Sequence, residues 1–245
     1  MRREGRAVLI TGGATGIGFA LAKRFLSAGS KVIICGRRPE RLAAAEQELP
    51  GLITLRCDVA HEGERVRLAE RVIAEFPEVD VLVNNAGIQN RPPPLIEDQD
   101  WTVYERELST NLAAPIHLSM LFAQHLGRKP EAALINVTSG LAFSPLSFMP
   151  TYCATKAALH SFTLSLRHQL KDTGISVIEM VPPKVQTDLG GIGLHDDGVP
   201  LEEFTEHAWT QLGAGSLEFG FGFSERNRLA SREQLDHVFS LLNPA

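Results

Sequence analysis

Tyr152 and Lys156 stand four residues apart in a run of mostly small residues, Thr151-Tyr152-Cys153-Ala154-Thr155-Lys156-Ala157. On a helix, positions i and i+4 share a face, about 6 Å apart along the axis, so a phenol and an ammonium would stand side by side. A free tyrosine titrates at about 10, too high for an acid/base at neutral pH, and a neighbouring cation favours the phenolate and lowers that value. The pair therefore offers proton transfer, although an ordinary surface pair has the same spacing.

A second group of residues offers anion binding. Thr11-Gly12-Gly13-Ala14-Thr15-Gly16-Ile17-Gly18 follows an apolar run and opens a helical pattern. Glycines there let the backbone turn tightly and approach a pyrophosphate, which free N–H groups and the positive end of the helix dipole then hold. A plain glycine-rich turn is the alternative, but strand before and helix after is the context a dinucleotide site demands. The end of the second apolar run selects the dinucleotide. NAD sites place a carboxylate there for the ribose 2′-hydroxyl. No carboxylate lies between Lys31 and Pro39, and Arg37 and Arg38 are adjacent. Guanidinium forks suit the 2′-phosphate of NADP, and a helix start disfavours cations without such a reason, so NADP (as NADPH when reduced) is expected over NAD. Asp58, closing the third run, is expected beside the adenine or as the N-cap of the next helix.

The elements that must carry these residues alternate. Apolar, β-branched runs at 7–11, 31–35, 52–57, 79–83, 132–138 and 175–181 are separated by helical patterns at about 16–28, 39–49, 62–76, 101–127 and 151–173. Strands without polar alternation are buried on both faces, and strand–helix alternation builds right-handed βαβ units. The expected fold is α/β: a Rossmann-type, doubly wound parallel sheet in one domain spanning 1–245. Asn90-Arg91-Pro92-Pro93-Pro94 interrupts regular structure. Pro182 to Pro200 holds four glycines and three prolines, and a substrate lid is expected at about 183–212. The period-two pattern of 217–223 predicts a last strand, and 231–242 an amphipathic helix.

Bulk properties narrow the function. Hydrophobic residues make up 44% and charged residues 22% of 245, enough for a sizeable core. Net charge is −5, from 24 basic and 29 acidic residues, which argues against nucleic-acid or membrane partners. Cys35, Cys57 and Cys153 are odd in number and far apart in sequence, which fits a reducing compartment with neither a disulfide framework nor a zinc site. The eight histidines show no metal spacing. The apolar run Ala7–Ile10 is too short for a signal peptide or membrane span, so a cytoplasmic protein is expected.

Taken in order, Thr11-Gly12…Gly16-Ile17-Gly18, Asp58-Val59, Asn84-Asn85-Ala86-Gly87, Asn111, Ser139, Tyr152 and Lys156 resemble the short-chain dehydrogenase/reductase family over the whole chain. The segments CGRRPERL, FPEVDVLVNNAGIQ and GFSERNRLASREQLDHVF are most similar to its DltE-type oxidoreductases. The resemblance implies an NADP(H)-dependent interconversion of an alcohol and a ketone or aldehyde. Tyr152 would be the acid/base, Lys156 would lower its pKa and hold the nicotinamide ribose, and Ser139 would hydrogen-bond the carbonyl. Asn111 would hold a water relaying protons to Lys156. Gly12, Thr15, Gly16, Ile17, Gly18, Arg37, Arg38, Asp58, Val59, Asn85, Ala86, Gly87, Val185 and Thr187 would line the cofactor. A homodimer or homotetramer is implied, built through the helices at 101–127 and 151–173. A non-catalytic NADP-binding redox sensor is the alternative, although such relatives usually lack the tyrosine or lysine kept here.

One departure stands out. The family usually shows Pro-Gly after the sixth strand, and this chain has Pro182-Pro183. A second proline removes an N–H and fixes φ, so the path of the loop carrying Val185 and Thr187 is open. Phe143, Leu146, Phe148 and Met149, with Ile192, Leu194 and Trp209, form either an apolar substrate pocket or ordinary core.

Overall fold

Every residue of β1 (Ala7–Thr11), β4 (Val81–Asn84) and β5 (Ala132–Val137) is buried. Such strands need cover on both faces, which an open parallel sheet flanked by helices supplies. A computed structural model, describing residues 1–244, has this arrangement. With β2 (Lys31–Gly36), β3 (Ile53–Arg56), β6 (Ile175–Val181) and β7 (Glu218–Gly220), the strands form one parallel sheet in the order β3-β2-β1-β4-β5-β6-β7. The chain winds outward from β1 to β3, then returns to β4 on the other side of β1. That reversal opens a crevice beyond the carboxyl ends of β1 and β4, where ligands of such sheets bind.

Pleat alternation sorts the core into two layers. Val8, Ile10, Val32 and Ile34 pack with Leu21 and Phe25 of α1 (Gly16–Ser27). Leu9, Ile33, Leu82 and Leu134 pack on the opposite face against Val72 of α3 (Glu62–Glu75), Phe122 of α5 (Ala114–Leu126) and Leu166 of α6 (Pro150–Gln169). The remaining helices are α2 (Pro39–Glu48), α4 (Trp101–Leu108), α7 (Leu201–Ala214), α8 (Phe223–Leu229) and α9 (Arg232–Leu242).

Three segments differ from their sequence pattern. The stretch 101–127 is two helices, α4 and α5, joined by a π-helical turn over Ser109–Ala113; period alone does not reveal a one-residue insertion, which π-turns make most often at functional sites. Of the range 183–212, the part from Leu201 onward is α7. Its Phe204, Ala208 and Leu212 are fully buried against α1, and Trp209 meets Phe25 edge-to-face at 5.0 Å. The tail is a strand only over β7, because Gly222 turns the chain at φ 56° and α8 follows at once. The helix at the end is α9, begun by a capping box between Ser231 and Gln234. Among the described residues no helix is long and apolar enough to cross a membrane.

Candidate active site

The glycine turn joins β1 to α1 at the crevice. Gly12 has φ 63°, and a Cβ there would lie 2.8 Å from the Ala86 Cα. At Gly18 a Cβ would lie 2.7 Å from the Gly12 carbonyl oxygen, so the helix passes tight against the turn. Thr15 holds the N-cap position of α1 without a side-chain cap bond, which leaves the first N–H groups of the helix for a ligand. Asn85 fixes the neighbouring strand end: its amide donates to the Thr11 and Gly12 carbonyls at 2.9 and 3.1 Å.

A cleft of about 920 Å³ begins here and runs to α6. Gly12, Thr15, Gly16 and Ile17 line one end, with Arg37, Arg38, Asp58 and Val59 beyond them and Asn85, Ala86 and Gly87 along the floor. Gly18 does not line it; its part is helix packing. Asp58 is not the N-cap of α3, a place held by His61. Its carboxylate instead accepts from the Ala60 N–H at 3.1 Å and pairs with Arg106 at 2.6 Å. Despite Pro182-Pro183, Val185 and Thr187 both line the cleft. The Pro182 carbonyl accepts from Gly140 N–H at 3.0 Å, Val185 bridges to Val199, and the Thr187 methyl lies beside Gly16.

At the other end stand Ser139, Tyr152 and Lys156, all nine-tenths or more buried. Ser139 lies two residues past β5 and caps a short 3-10 turn over Gly140–Ala142, its hydroxyl accepting from the Leu141 N–H at 3.1 Å. Tyr152 and Lys156 share a face of α6. The Lys156 ammonium donates to the Val137 carbonyl at 2.9 Å and lies 5.7 Å from the centroid of the Tyr152 ring. Asn111, on the π-turn, does not line the cleft but supports it. Its amide accepts from Ile88 N–H at 2.9 Å, donates to the Ile88 carbonyl at 2.8 Å and reaches the Thr155 hydroxyl at 3.3 Å.

The electrostatics correct one expectation. The sequence reading has Lys156 lowering the tyrosine pKa. In the structure burial dominates and pushes the Tyr152 phenol well above its ordinary value. The Ser139 hydroxyl and the Gln89 side chain, hydrogen-bonding toward the phenol, oppose that rise, while Cys153 and Glu107 add to it. Burial also brings the Lys156 ammonium down to about 8, with Glu107 acting against it.

Several residues at the site carry no sequence motif. Arg41, the third residue of α2, joins Arg37 and Arg38 along the cleft. Gln89 lines the cleft with Tyr152 and meets buried His195 at 3.2 Å. Glu107 is a buried carboxylate on α4. Neither has a spacing signal, because long-range folding brings them in. Of the apolar candidates, Leu146, Phe148 and Met149 line the cleft with Leu242 of α9. Phe143 instead packs on His160, Ile192 is 85% exposed, half-buried Leu194 does not line the cleft, and Trp209 is half-buried against the core. His160, Glu179 and Glu218 bring donor atoms within 4.8 Å of one another, but Arg167 and Arg228 pair with Glu218 and the Thr138 hydroxyl donates to Glu179. All three cysteines are buried free thiols.

A model of the short chain dehydrogenase family matches residues 6–193, and the chain belongs to that family of oxidoreductases. It is 47% identical to the uncharacterized oxidoreductase DltE of Bacillus subtilis (strain 168), over 99% of this chain and 98% of that one. Its fold is similar to a short chain dehydrogenase of Burkholderia cenocepacia J2315 in complex with NADP (TM-score 0.84, 24% identity, 98% of this chain and 99% of the other). It is likewise similar to a 3-ketoacyl-(acyl-carrier-protein) reductase of Brucella melitensis complexed with NADH (TM-score 0.81, 25% identity, 91% and 100%).

Proposed function

We propose that this chain is an NADP(H)-dependent oxidoreductase that interconverts an alcohol and a ketone or aldehyde. One observation carries the reading: a single cleft holds a glycine turn and three arginines at one end and Ser139, Tyr152 and Lys156 at the other. Its glycine floor, closed to a Cβ at Gly12, and its free helix N–H groups fit a dinucleotide. The full length shared with an oxidoreductase of Bacillus subtilis supports the same class. Relatives of this fold bind NADP in one case and NADH in another, so the preference for NADP rests on Arg37, Arg38 and Arg41, with no carboxylate at the end of β2.

When bound, a nicotinamide coenzyme supplies or accepts the hydride and, oxidised, carries a positive ring. The protein does the rest. The Tyr152 hydroxyl, kept protonated by burial, gives its proton to the substrate oxygen in reduction, and in oxidation the positive ring of the bound coenzyme and the Lys156 ammonium would favour the phenolate that takes one back. Ser139 donates a hydrogen bond to that oxygen and steadies its developing charge. Lys156 would hold the ribose hydroxyls and sets a cation over the tyrosine ring. Asn111 keeps Ile88 in place, and with Gly87 it borders the ammonium, where we assign proton exchange with solvent. Leu146, Phe148, Met149 and Leu242 form an apolar wall for the substrate, and 183–200 is the segment we assign as its lid. Met120 of α5 and Leu164 of α6 are 68% and 43% exposed, which supports pairing of copies through these helices.

The test is NADPH oxidation followed at 340 nm against a panel of aldehydes and ketones. Turnover on at least one class supports the reading. Tight coenzyme binding with no turnover on any would favour a sensor.

A further inference from the structure

Two side chains bracket the turn that carries Ser139. Before it, the Thr138 hydroxyl donates to Glu179 of β6 at 2.7 Å. After it, the Phe143 ring meets the His160 ring edge-on, with 4.7 Å between centroids. His160 in turn sets its Nδ1 3.0 and 2.9 Å from the two oxygens of the same Glu179 carboxylate. One carboxylate therefore ties both ends of the segment 138–143. Between them the Gly140 N–H donates to the Pro182 carbonyl at 3.0 Å, and a Cβ at Gly140 would lie 2.7 Å from that of Ser224.

His160 lies on α6 four residues after Lys156 and eight after Tyr152, so the three side chains share one face of that helix. Glu179 is fully buried, and Thr138 is buried with it. A buried carboxylate is costly unless it is paired and hydrogen-bonded, and Thr138 and His160 supply those bonds. The neighbouring carboxylate, Glu218, is taken by Arg167 and Arg228 at 3.4 Å each. The clamp on Glu179 thus joins three elements: the chain leaving β5 toward Ser139, the strand β6, and the helix of Tyr152 and Lys156.

We propose that Glu179, through Thr138 and His160, is a positioning residue that fixes the Ser139 hydroxyl against the Tyr152–Lys156 face of α6. This rests on the reading of Ser139 and Tyr152 as the groups that meet the substrate oxygen. Glu179 and His160 do not line the cleft, so they act through the turn. Small displacements of a group that must meet a reacting atom cost rate steeply, and the turn has its two ends held by this one carboxylate.

Thr138→Val removes the donor at one end of the turn and leaves the His160–Glu179 pair in place. Relaxation of the ¹⁵N-labelled Leu141 amide, which the Ser139 hydroxyl accepts from at 3.1 Å, reads the turn directly. Its order parameter is expected to fall from about 0.85 to about 0.6 in Thr138→Val and in His160→Ala and to return in Thr138→Ser, while the Ile33 and Leu82 amides of the sheet stay rigid. A Leu141 amide as rigid as in wild type, or equal loosening at Ile33 and Leu82, would overturn the proposal. With a carbonyl compound reduced in the panel, Thr138→Val is expected to lower kcat about tenfold at unchanged NADPH affinity. In a Ser139→Ala background the same change should cost less than about twofold, because the two residues act as one unit. Equal losses in both backgrounds would overturn the proposal as well. Wild-type turnover by Ser139→Ala would instead sink the reading of Ser139 as a catalytic group and leave the relaxation result standing.

Discussion

The Lys156 ammonium lies 5.7 Å from the centre of the Tyr152 ring and is anchored on the Val137 carbonyl at 2.9 Å. From that fixed point on β5 the ammonium faces the ring of the tyrosine. Lys156 is expected to lose its proton as pH rises through about 8, so carbonyl reduction should decline over that interval. Lys156→Met should lower turnover by about 10²-fold or more and remove the decline. Initial rates between pH 6 and 10 check this; a Lys156→Met profile that keeps the wild-type shape contradicts it.

The arginines at the far end of the cleft predict coenzyme choice. Arg37→Ala should weaken NADPH binding by about tenfold, the scale of one lost charge-assisted hydrogen bond, and leave NADH unchanged. Arg37→Ala with Arg41→Ala should go further. Fluorescence titration with both coenzymes measures it, and equal losses for the two would show that charge at these positions does not set the preference.

The packing of the glycine turn predicts stability. Gly18→Ala places a Cβ 2.7 Å from the Gly12 carbonyl and into the Asn85 amide, which holds two carbonyls of the turn. Overpacking of this kind costs about 1–3 kcal/mol, or roughly 2–4 °C in Tm per kcal/mol for a chain of this size. A thermal melt unchanged from wild type would contradict the geometry.

His160 predicts a pH dependence. Its ring meets buried Glu179 at 2.9 Å, and that hydrogen bond raises its pKa while burial opposes. A histidine whose folded pKa exceeds its unfolded value of about 6.5 contributes stability below that pH and loses it as pH rises through the folded value. The Tm advantage of wild type over His160→Gln should therefore be larger at pH 6 than at pH 9. A pH-independent difference would mean the pair is not ionised.

Much of this was readable in the residues, and the exceptions share a cause. The alternating strands and helices follow from uninterrupted apolar runs such as AVLIT and from the 3.6 period of α1 and α3, both local properties. The glycine turn, Arg37 and the Tyr152–Lys156 pair are also local patterns. The π-turn at Asn111, the place of Gln89 and the burial of Glu107 arise from contacts between α4, α6 and the loop after β4, which no spacing encodes. For the same reason the sequence suggested a lowered tyrosine pKa: the lysine four residues on is visible, but the desolvation that outweighs it is not. Leu201–Ala214 was hidden by the glycines and prolines just before it.

The most direct measurement compares wild type and Tyr152→Phe with one carbonyl substrate taken from the panel, recording coenzyme affinity and the rate of NADPH oxidation in the same preparations. The account predicts that the variant binds NADPH as wild type does and turns over about 10²–10⁴-fold more slowly. Equal rates for the two proteins would contradict it.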